Sequence, residues 1–176
     1  VDLQAATVEE RLLPWDDARR LVVDMFGAVT PALGTEAASF FSENRIDAEP
    51  RRGKPSMAFC VWPSTRVPGF VFVNWTGQLR DLVMLTHELG HGTNWGLAAQ
   101  AQTDNSLKQG IALAEVPSTL AELLLVEHLA LEPQAPRELA RLFGQVGRRT
   151  DIAGCIAEVL GQVDACAGLE LVDQPF

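Results

Sequence analysis

The chain has 176 residues, a length that one hydrophobic core commonly serves. Although 47% of its residues are hydrophobic and its mean hydropathy is +0.08, no apolar run approaches the roughly 18 residues that cross a bilayer. Its 23 acidic and 14 basic residues give a formal net charge of −9, which opposes the phosphate contacts of non-specific nucleic-acid binding.

The N-terminal part of the chain has the spacing of two amphipathic helices. Apolar residues recur at helical intervals between charged ones over about 15–27, after Pro14. A second stretch of apolar and small residues, from Pro31 to Asn44, predicts another helix. The polar segment 47–56, which contains two prolines, predicts a loop.

Two short segments rich in aromatic and β-favouring residues follow, at 57–63 and 69–75. The turn-like sequence STRVP joins them, so we expect adjacent antiparallel strands. After the second strand the period changes, and Thr76 is a candidate N-cap for a long helix that reaches about Leu97.

The rest of the chain continues as helices. A polar loop at 100–110 precedes a helix over 111–131, in which Pro117 must lie in the first turn or make a kink because it lacks a backbone N–H. Apolar patterns at about 136–146 and 151–164 predict two further helices. The chain is therefore mainly α, with one small antiparallel β element.

The segment His87-Glu88-Leu89-Gly90-His91 has the pattern of a metal site. Positions i and i+4 of a helix share one face, with Cβ atoms about 5–6 Å apart, so both imidazoles can reach one ion. Glu88 lies on the adjacent row and can serve as a general base toward a water at that ion. If the two histidines were surface residues that bind no metal, neither Gly90 nor the apolar residues on either side of the motif would be explained. The pattern predicts a catalytic divalent metal, with zinc favoured over iron or manganese, which the same donors accept.

A catalytic zinc site commonly has three protein ligands and one open position, so a third ligand is needed. Glu115 begins the next helix, 24 positions after His91, and a loop of about ten residues lets two helices lie antiparallel. Glu122 lies two helical turns further along the same face. The spacing leaves either glutamate as the ligand, with the other supporting it or lying at the surface.

The segment LRDLVMLTHELGHGTNW, followed by ALAEVPSTLAE, resembles the catalytic core of the thimet oligopeptidase and oligoendopeptidase F family of zinc metallopeptidases. The resemblance covers about residues 15–130. It implies that His87, His91 and Glu115 bind the metal and that Glu88 is the base. The family's E-x-x-S pattern falls on Glu115 and Ser118, so Ser118 is a candidate for supporting the ligands; Glu122 is another, from its spacing.

The resemblance also implies a fold and a substrate-binding strand. The fold is a zincin-like (gluzincin) metallopeptidase core, and we expect one catalytic domain over 1–176, with the core at 15–130 and a helical segment at 134–166. In the oligoendopeptidase F branch, the second strand forms the edge that holds the substrate backbone. That role falls here on Phe70, Val71, Phe72, Val73 and Asn74.

The chain departs from the family in length and in one residue type. The family's enzymes are several times longer, and their C-terminal part supplies tyrosine and histidine donors to the oxyanion, whereas this sequence contains no tyrosine. His128, Arg148 and Arg149 are the candidates for that role, although a structural or solvated side chain explains each more simply. Loss of one oxyanion donor commonly costs about 10²–10³ in turnover, so activity would be weakened rather than lost.

Three functional hypotheses follow. The first is a zinc hydrolase that cleaves a short peptide or another amide, with Glu88 as general base. The second is a catalytically weak or silent metal-binding interaction module. The third is one half of a split peptidase that a partner chain completes.

The cysteines and the N-terminus predict a cytoplasmic protein. Cys60, Cys155 and Cys166 form no C-x-x-C pair, which indicates reduced thiols, and the first residues lack the pattern of a signal peptide. In the family's longer enzymes, further helical parts cover this core. The apolar surface that is bare without them predicts a homo-oligomer or a partner chain. We expect a short peptide or amide as substrate, and neither nucleic acid nor a membrane as a partner.

Overall fold

The computed structural model describes residues 12–104 and 111–131. The residues group by their mutual contacts into two compact units, Val1–Glu122 and Leu123–Phe176. The described elements, in chain order, are α1 (Trp15–Val29), α2 (Pro31–Ser42), β1 (Ile46–Asp47), β2 (Phe59–Val61), β3 (Phe70–Phe72), α3 (Leu79–Ala101) and α4 (Ile111–Leu131). The prediction of a mainly helical chain with a small sheet is confirmed. Within the described ranges, no helix is both long and apolar enough to cross a membrane.

Helices α1 and α2 are joined by the single residue Thr30 and pack against each other. The Thr30 side chain caps α2 by accepting a hydrogen bond from the N–H of Leu33 at 3.2 Å, and Pro31 occupies the first turn, where an N–H is not needed. Helix α2 ends two residues before the predicted Asn44, which has a positive φ of 55°. Both predicted helices are confirmed.

The three strands form one sheet in the order β1-β3-β2. Strand β2 pairs antiparallel with β3, as predicted, and β1 pairs parallel with β3 on its other side. Strand β1 was not predicted, because two residues beside a polar segment are too few to show a β pattern. Since both sides of β3 are paired, the prediction that Phe70–Asn74 form the edge of the sheet is wrong, and in the described sheet the free edges belong to β1 and β2.

The loop after β1 is held in place by Lys54, which belongs to none of the sequence motifs. The Lys54 side chain is 1% exposed, and its ammonium donates to the carbonyl oxygens of Asp47, Glu49 and Val73 at 2.9, 3.1 and 2.6 Å. It also lies 3.1 Å from the Asp47 carboxylate. These bonds tie the loop to the end of β3, and they satisfy a charge that burial would otherwise disfavour.

Helix α3 packs on the sheet and carries the histidine motif. It begins at Leu79 with Gln78 as its N-cap, so the prediction of Thr76 as the cap is wrong. The carboxylate of Asp81 accepts hydrogen bonds from the N–H groups of Thr76 and Gln78 and from the Thr76 hydroxyl, which draws Thr76 into the entry turn rather than into the helix. The helix continues to Ala101, four residues beyond the predicted end.

Helix α4 contains Pro117 as an interior residue. The helix runs from Ile111 to Leu131 as predicted. Pro117 is its seventh residue, so of the two alternatives the first-turn position is wrong and the kink stays a prediction. The first unit contains α4 as far as Glu122, and the second begins at Leu123. The helices predicted at 136–146 and 151–164, and the segment 134–166, lie outside the described residues.

Candidate metal centre

Helix α3 places His87 and His91 one turn apart on the same face. Their ring centroids are 5.0 Å apart and the ring planes are nearly perpendicular, at 83°. Neither side chain is fully buried, with exposed fractions of 23% and 16%. The i, i+4 spacing of the sequence therefore gives the convergent imidazole pair that was predicted.

Glu115, near the start of α4, completes a three-residue cluster with these histidines. Its Oε2 atom lies 3.5 Å from Nε2 of His87 and 3.6 Å from Nε2 of His91, and the three ligand atoms all lie within 4.8 Å of one another. Ligands about 2.0–2.2 Å from a tetrahedral ion are separated by roughly 3.3–3.5 Å. Two imidazoles and one carboxylate at these separations fit a zinc ion, and the Glu115 side chain, 50% exposed, leaves the cluster open on one side.

The other ring nitrogen of His87 is bound by Glu122. Nδ1 of His87 lies 2.6 Å from Oε1 of Glu122. This hydrogen bond, aided by the negative charges nearby, raises the pKa of His87 against the opposing effect of burial. In the neutral ring, donation from Nδ1 leaves the lone pair on Nε2, the atom that faces Glu115. Of the two glutamates that the spacing left open, Glu115 joins the cluster and Glu122 supports a histidine.

His91 is held by a group that sequence reasoning missed. Its ring hydrogen-bonds to the backbone of Ala114, in the turn of α4 that carries Glu115. Burial is the main reason that the pKa of His91 is lowered, which favours the neutral, metal-binding ring. Every residue has a backbone carbonyl, so the sequence pattern could not predict this acceptor. Its identity depends on the path of α4 in three dimensions.

Ser118 supports the Glu115 carboxylate from one turn further along α4. Its side chain is fully buried, and its Oγ lies 2.9 Å from the Glu115 carbonyl oxygen and 3.2 Å from Oε2. The hydroxyl can therefore donate to either oxygen of the same residue. The predicted supporting residues Ser118 and Glu122 both lie beside the cluster.

Glu88 points from α3 toward the sheet. The residue is 5% exposed, and its carboxylate accepts a hydrogen bond from the backbone N–H of Cys60 in β2. Burial is the main reason that its pKa is raised, and the charge of Glu115 raises it further, whereas His87 and Cys60 lower it. A buried carboxyl group with a raised pKa has the property that a general base needs near neutral pH.

The outer edge of β2 borders this carboxylate. The N–H of Val71 donates to the carbonyl of Arg45 on the β1 side, so the backbone polar groups of Cys60, which pairs with Val71, face away from β3. Burial and the charge of Glu88 raise the pKa of the Cys60 thiol to about 12, which keeps it protonated and inert. The strand nearest the predicted base is therefore β2.

The described residues do not test the remaining sequence candidates. His128 belongs to the second unit, and Arg148, Arg149, Cys155 and Cys166 lie outside the described residues. The roles considered for them stay predictions.

Two histidines and a glutamate that could hold a metal ion thus lie together on the helices of a mainly helical core. Residues 31–142, well over half of the chain, match the profile of Peptidase family M3. The chain therefore belongs to this family, and the resemblance to oligoendopeptidase F drawn from its motifs is confirmed.

Relatives of known name extend well beyond the chain. The chromosomal oligoendopeptidase F of Lactococcus lactis subsp. cremoris is 36% identical over 98 residues, which cover 56% of this chain and 16% of that protein. Group B oligopeptidase PepB of Streptococcus agalactiae serotype III (strain NEM316) is 34% identical over 92 residues, 52% of this chain and 15% of that protein. The chain thus spans a small fraction of the relatives it matches.

The fold is shared with a solved peptidase structure. PZ peptidase A with inhibitor 2 superposes with a TM-score of 0.65 at 19% identity, over 74% of this chain and 23% of that chain. The similarity shows that this arrangement of helices and sheet occurs inside a larger peptidase.

Proposed function

We propose that the chain is the catalytic core of a zinc-dependent peptidase of the gluzincin type. His87, His91 and Glu115 hold the ion, and Glu88 is the general base. The observation that carries the proposal is the convergence of Oε2 of Glu115 on the Nε2 atoms of both histidines, at 3.5 and 3.6 Å. Membership of Peptidase family M3 and relatives named as oligopeptidases support a short peptide as the substrate.

The residues of the chain would divide the work of hydrolysis. Zinc, when bound, supplies a Lewis acid for the scissile carbonyl and favours ionisation of water. Glu88 accepts a proton from the attacking water and delivers it to the leaving amine. Its raised pKa suits both steps, because the carboxyl group must hold the proton between them. Glu122 keeps the His87 ring in the tautomer that leaves Nε2 free.

The substrate backbone would add to the outer edge of β2. Peptides commonly bind by extending a sheet with main-chain hydrogen bonds, and this requires an unpaired edge. The backbone groups of Cys60 face outward; its N–H donates to Glu88, and its carbonyl oxygen is left to accept from a substrate N–H. This arrangement moves the predicted substrate role from β3 to β2.

The test separates catalysis from metal binding with two substitutions. Glu88→Gln should retain zinc and lose peptide cleavage by about 10²–10⁴-fold, since a general base contributes that much and Glu88 is not a ligand. His87→Ala should lose zinc. Both are measured by metal analysis of the purified protein and by cleavage of a mixed peptide pool. If the wild type binds zinc but cleaves no peptide in a Glu88-dependent way, even with partner chains added, a silent metal-binding module replaces the peptidase.

A further inference from the structure

Gly90, between the two histidines, lies where α3 and α4 come closest. A Cβ atom built on Gly90 would lie 2.7 Å from the carbonyl oxygen of Pro117, 2.7 Å from Cα of Ser118 and 2.9 Å from Cβ of Ala121. Two of these three atoms are backbone, so no change of rotamer relieves the contact. Any side chain at Gly90 must push the two helices apart.

Helix α4, which faces Gly90, supplies three groups that contact the two histidines. Glu115 contributes the carboxylate, Glu122 binds Nδ1 of His87, and the backbone of Ala114 binds His91. All three lie within one turn or so of the residues that face Gly90. A displacement of α4 at this point therefore changes the ligand and both histidine contacts together.

The displacement needed can be compared with the tolerance of the site. To widen from 2.7 Å to the 3.4 Å of an ordinary contact, α4 must retreat by about 0.7 Å. Preorganised sites commonly require their groups within about 0.5 Å of the productive position. The hydroxyl of Ser118, 3.2 Å from Oε2 of Glu115, would move with the helix rather than correct it.

We propose that Gly90 is a positioning residue for the metal centre: its missing side chain sets the spacing between α3 and α4 at which Glu115 reaches both histidines. The inference rests on the proposed metal site. It concerns a residue that binds neither metal nor substrate, and it assigns to the glycine of the motif a role in metal affinity.

A second glycine of α3 offers a matched control. The three atoms nearest to a Cβ on Gly96 all belong to the side chain of Glu36, namely Oε1, Cδ and Cγ, and a flexible side chain can move aside. Alanine is a better helix former than glycine, so Gly90→Ala and Gly96→Ala both favour α3 as a helix. The two variants differ in whether backbone atoms of α4 oppose the new methyl group.

The experiment measures zinc affinity of the whole chain by competition with a chromophoric chelator, together with the visible absorption of the Co²⁺-loaded protein. We expect Gly90→Ala to weaken zinc binding by about 10–100-fold, the usual effect of disturbing groups around a metal site, and to alter the cobalt spectrum. Gly96→Ala should stay within about twofold of the wild type, because the side chain of Glu36 can yield to the new methyl group without a movement of α4. Circular dichroism without metal should show the same helix content in all three proteins.

Two results would overturn the inference. One is a Gly90→Ala protein with wild-type zinc affinity and an unchanged cobalt spectrum. The other concerns folding: if Gly90→Ala does not fold, Ala121→Val, which enlarges the same contact from α4, takes its place. Unfolding of both metal-free variants would assign this contact to folding rather than to positioning. A wild type that binds no zinc would instead overturn the metal site itself.

Discussion

At the scale of single residues, Glu122 is the side chain that spacing along the sequence could not distinguish from the third ligand. It shares a helix face with Glu115, yet it binds the far nitrogen of His87 at 2.6 Å. Spacing along α4 could identify both glutamates as candidates, but it could not decide which of them is the ligand. That depends on which carboxylate faces Nε2 of His87.

This arrangement predicts the effect of removing the Glu122 carboxylate. Glu122→Ala should weaken zinc binding by about 10–100-fold while leaving the three ligands in place, because the His87 ring loses the partner that orients it. Chelator competition measures the change, and Glu127→Ala, which removes an exposed carboxylate from the same helix, is the control. Equal affinities of the two variants would remove Glu122 from the site.

Asp47 predicts a pH-dependent contribution to stability outside the metal centre. Its hydrogen bond from Arg51 is the main reason that its pKa lies well below the usual 3.8, and Lys54 lowers it further. A carboxyl group with a depressed pKa stabilises the fold above its unfolded-state pKa and loses that contribution as the pH falls through the folded-state value. The Asp47 side chain is 38% exposed, so water screens the pairs and we expect at most about 1 kcal/mol.

Asp47→Asn tests this expectation. The variant should unfold at lower urea concentration than the wild type at pH 6. The difference should shrink at pH 3, below the usual carboxyl pKa of 3.8, because the unfolded wild type then binds a proton at Asp47 that folding must release. Urea unfolding at both pH values measures it. A difference that is equal at the two pH values would show that the charge of Asp47 is not the cause.

At the scale of elements, the helices were predictable and the edge of the sheet was not. The apolar periodicities of α1 and α3 extend over several turns, so an error at one end does not hide the element. Strand β1 has two residues, and its pairing with β3 depends on a contact across the loop that Lys54 holds. Strand order is a property of tertiary structure, so the sequence could identify β2 and β3 but not which of them is central.

The corrected strand order predicts where a bound peptide protects the backbone. In the Glu88→Gln protein, a short peptide should slow amide hydrogen exchange in 57–63, because β2 would gain hydrogen bonds along its outer edge. Exchange in 69–75 should change little, since β3 is already paired on both sides. Hydrogen exchange with mass spectrometry compares the two segments directly. Protection confined to 69–75 would return the substrate role to β3.

At the scale of the whole molecule, the sheet leaves apolar side chains bare. Phe59, Val61 and Phe70 are 37%, 44% and 45% exposed, and Met57 is 60% exposed. Exposed apolar surface was expected from the composition; Phe59, Val61 and Phe70 provide it on the strands, and Met57 provides it just before β2. The oligomer or partner chain that would cover it stays a prediction, as does the single catalytic domain over 1–176.

The sequence was most informative where chemistry imposes a local pattern. His87, Glu88 and His91 lie within five residues, so their geometry follows from the pitch of a helix alone. Glu115 required a second element at a suitable distance along the chain. The contacts of Ala114 with His91 and of Cys60 with Glu88 involve backbone groups, so they cannot be predicted from the residue types at these positions.

The attachment of both histidines to α4 makes metal uptake and the docking of that helix parts of a single equilibrium. Glu115, Glu122 and Ala114 can meet His87 and His91 only when α4 lies against α3, so an ion that selects the assembled site also selects the docked helix. By the same linkage, whatever loosens α4 lowers the affinity for the ion, even without touching a ligand. In the proposed metal centre, the residues that join the two helices would therefore set metal occupancy together with helix packing.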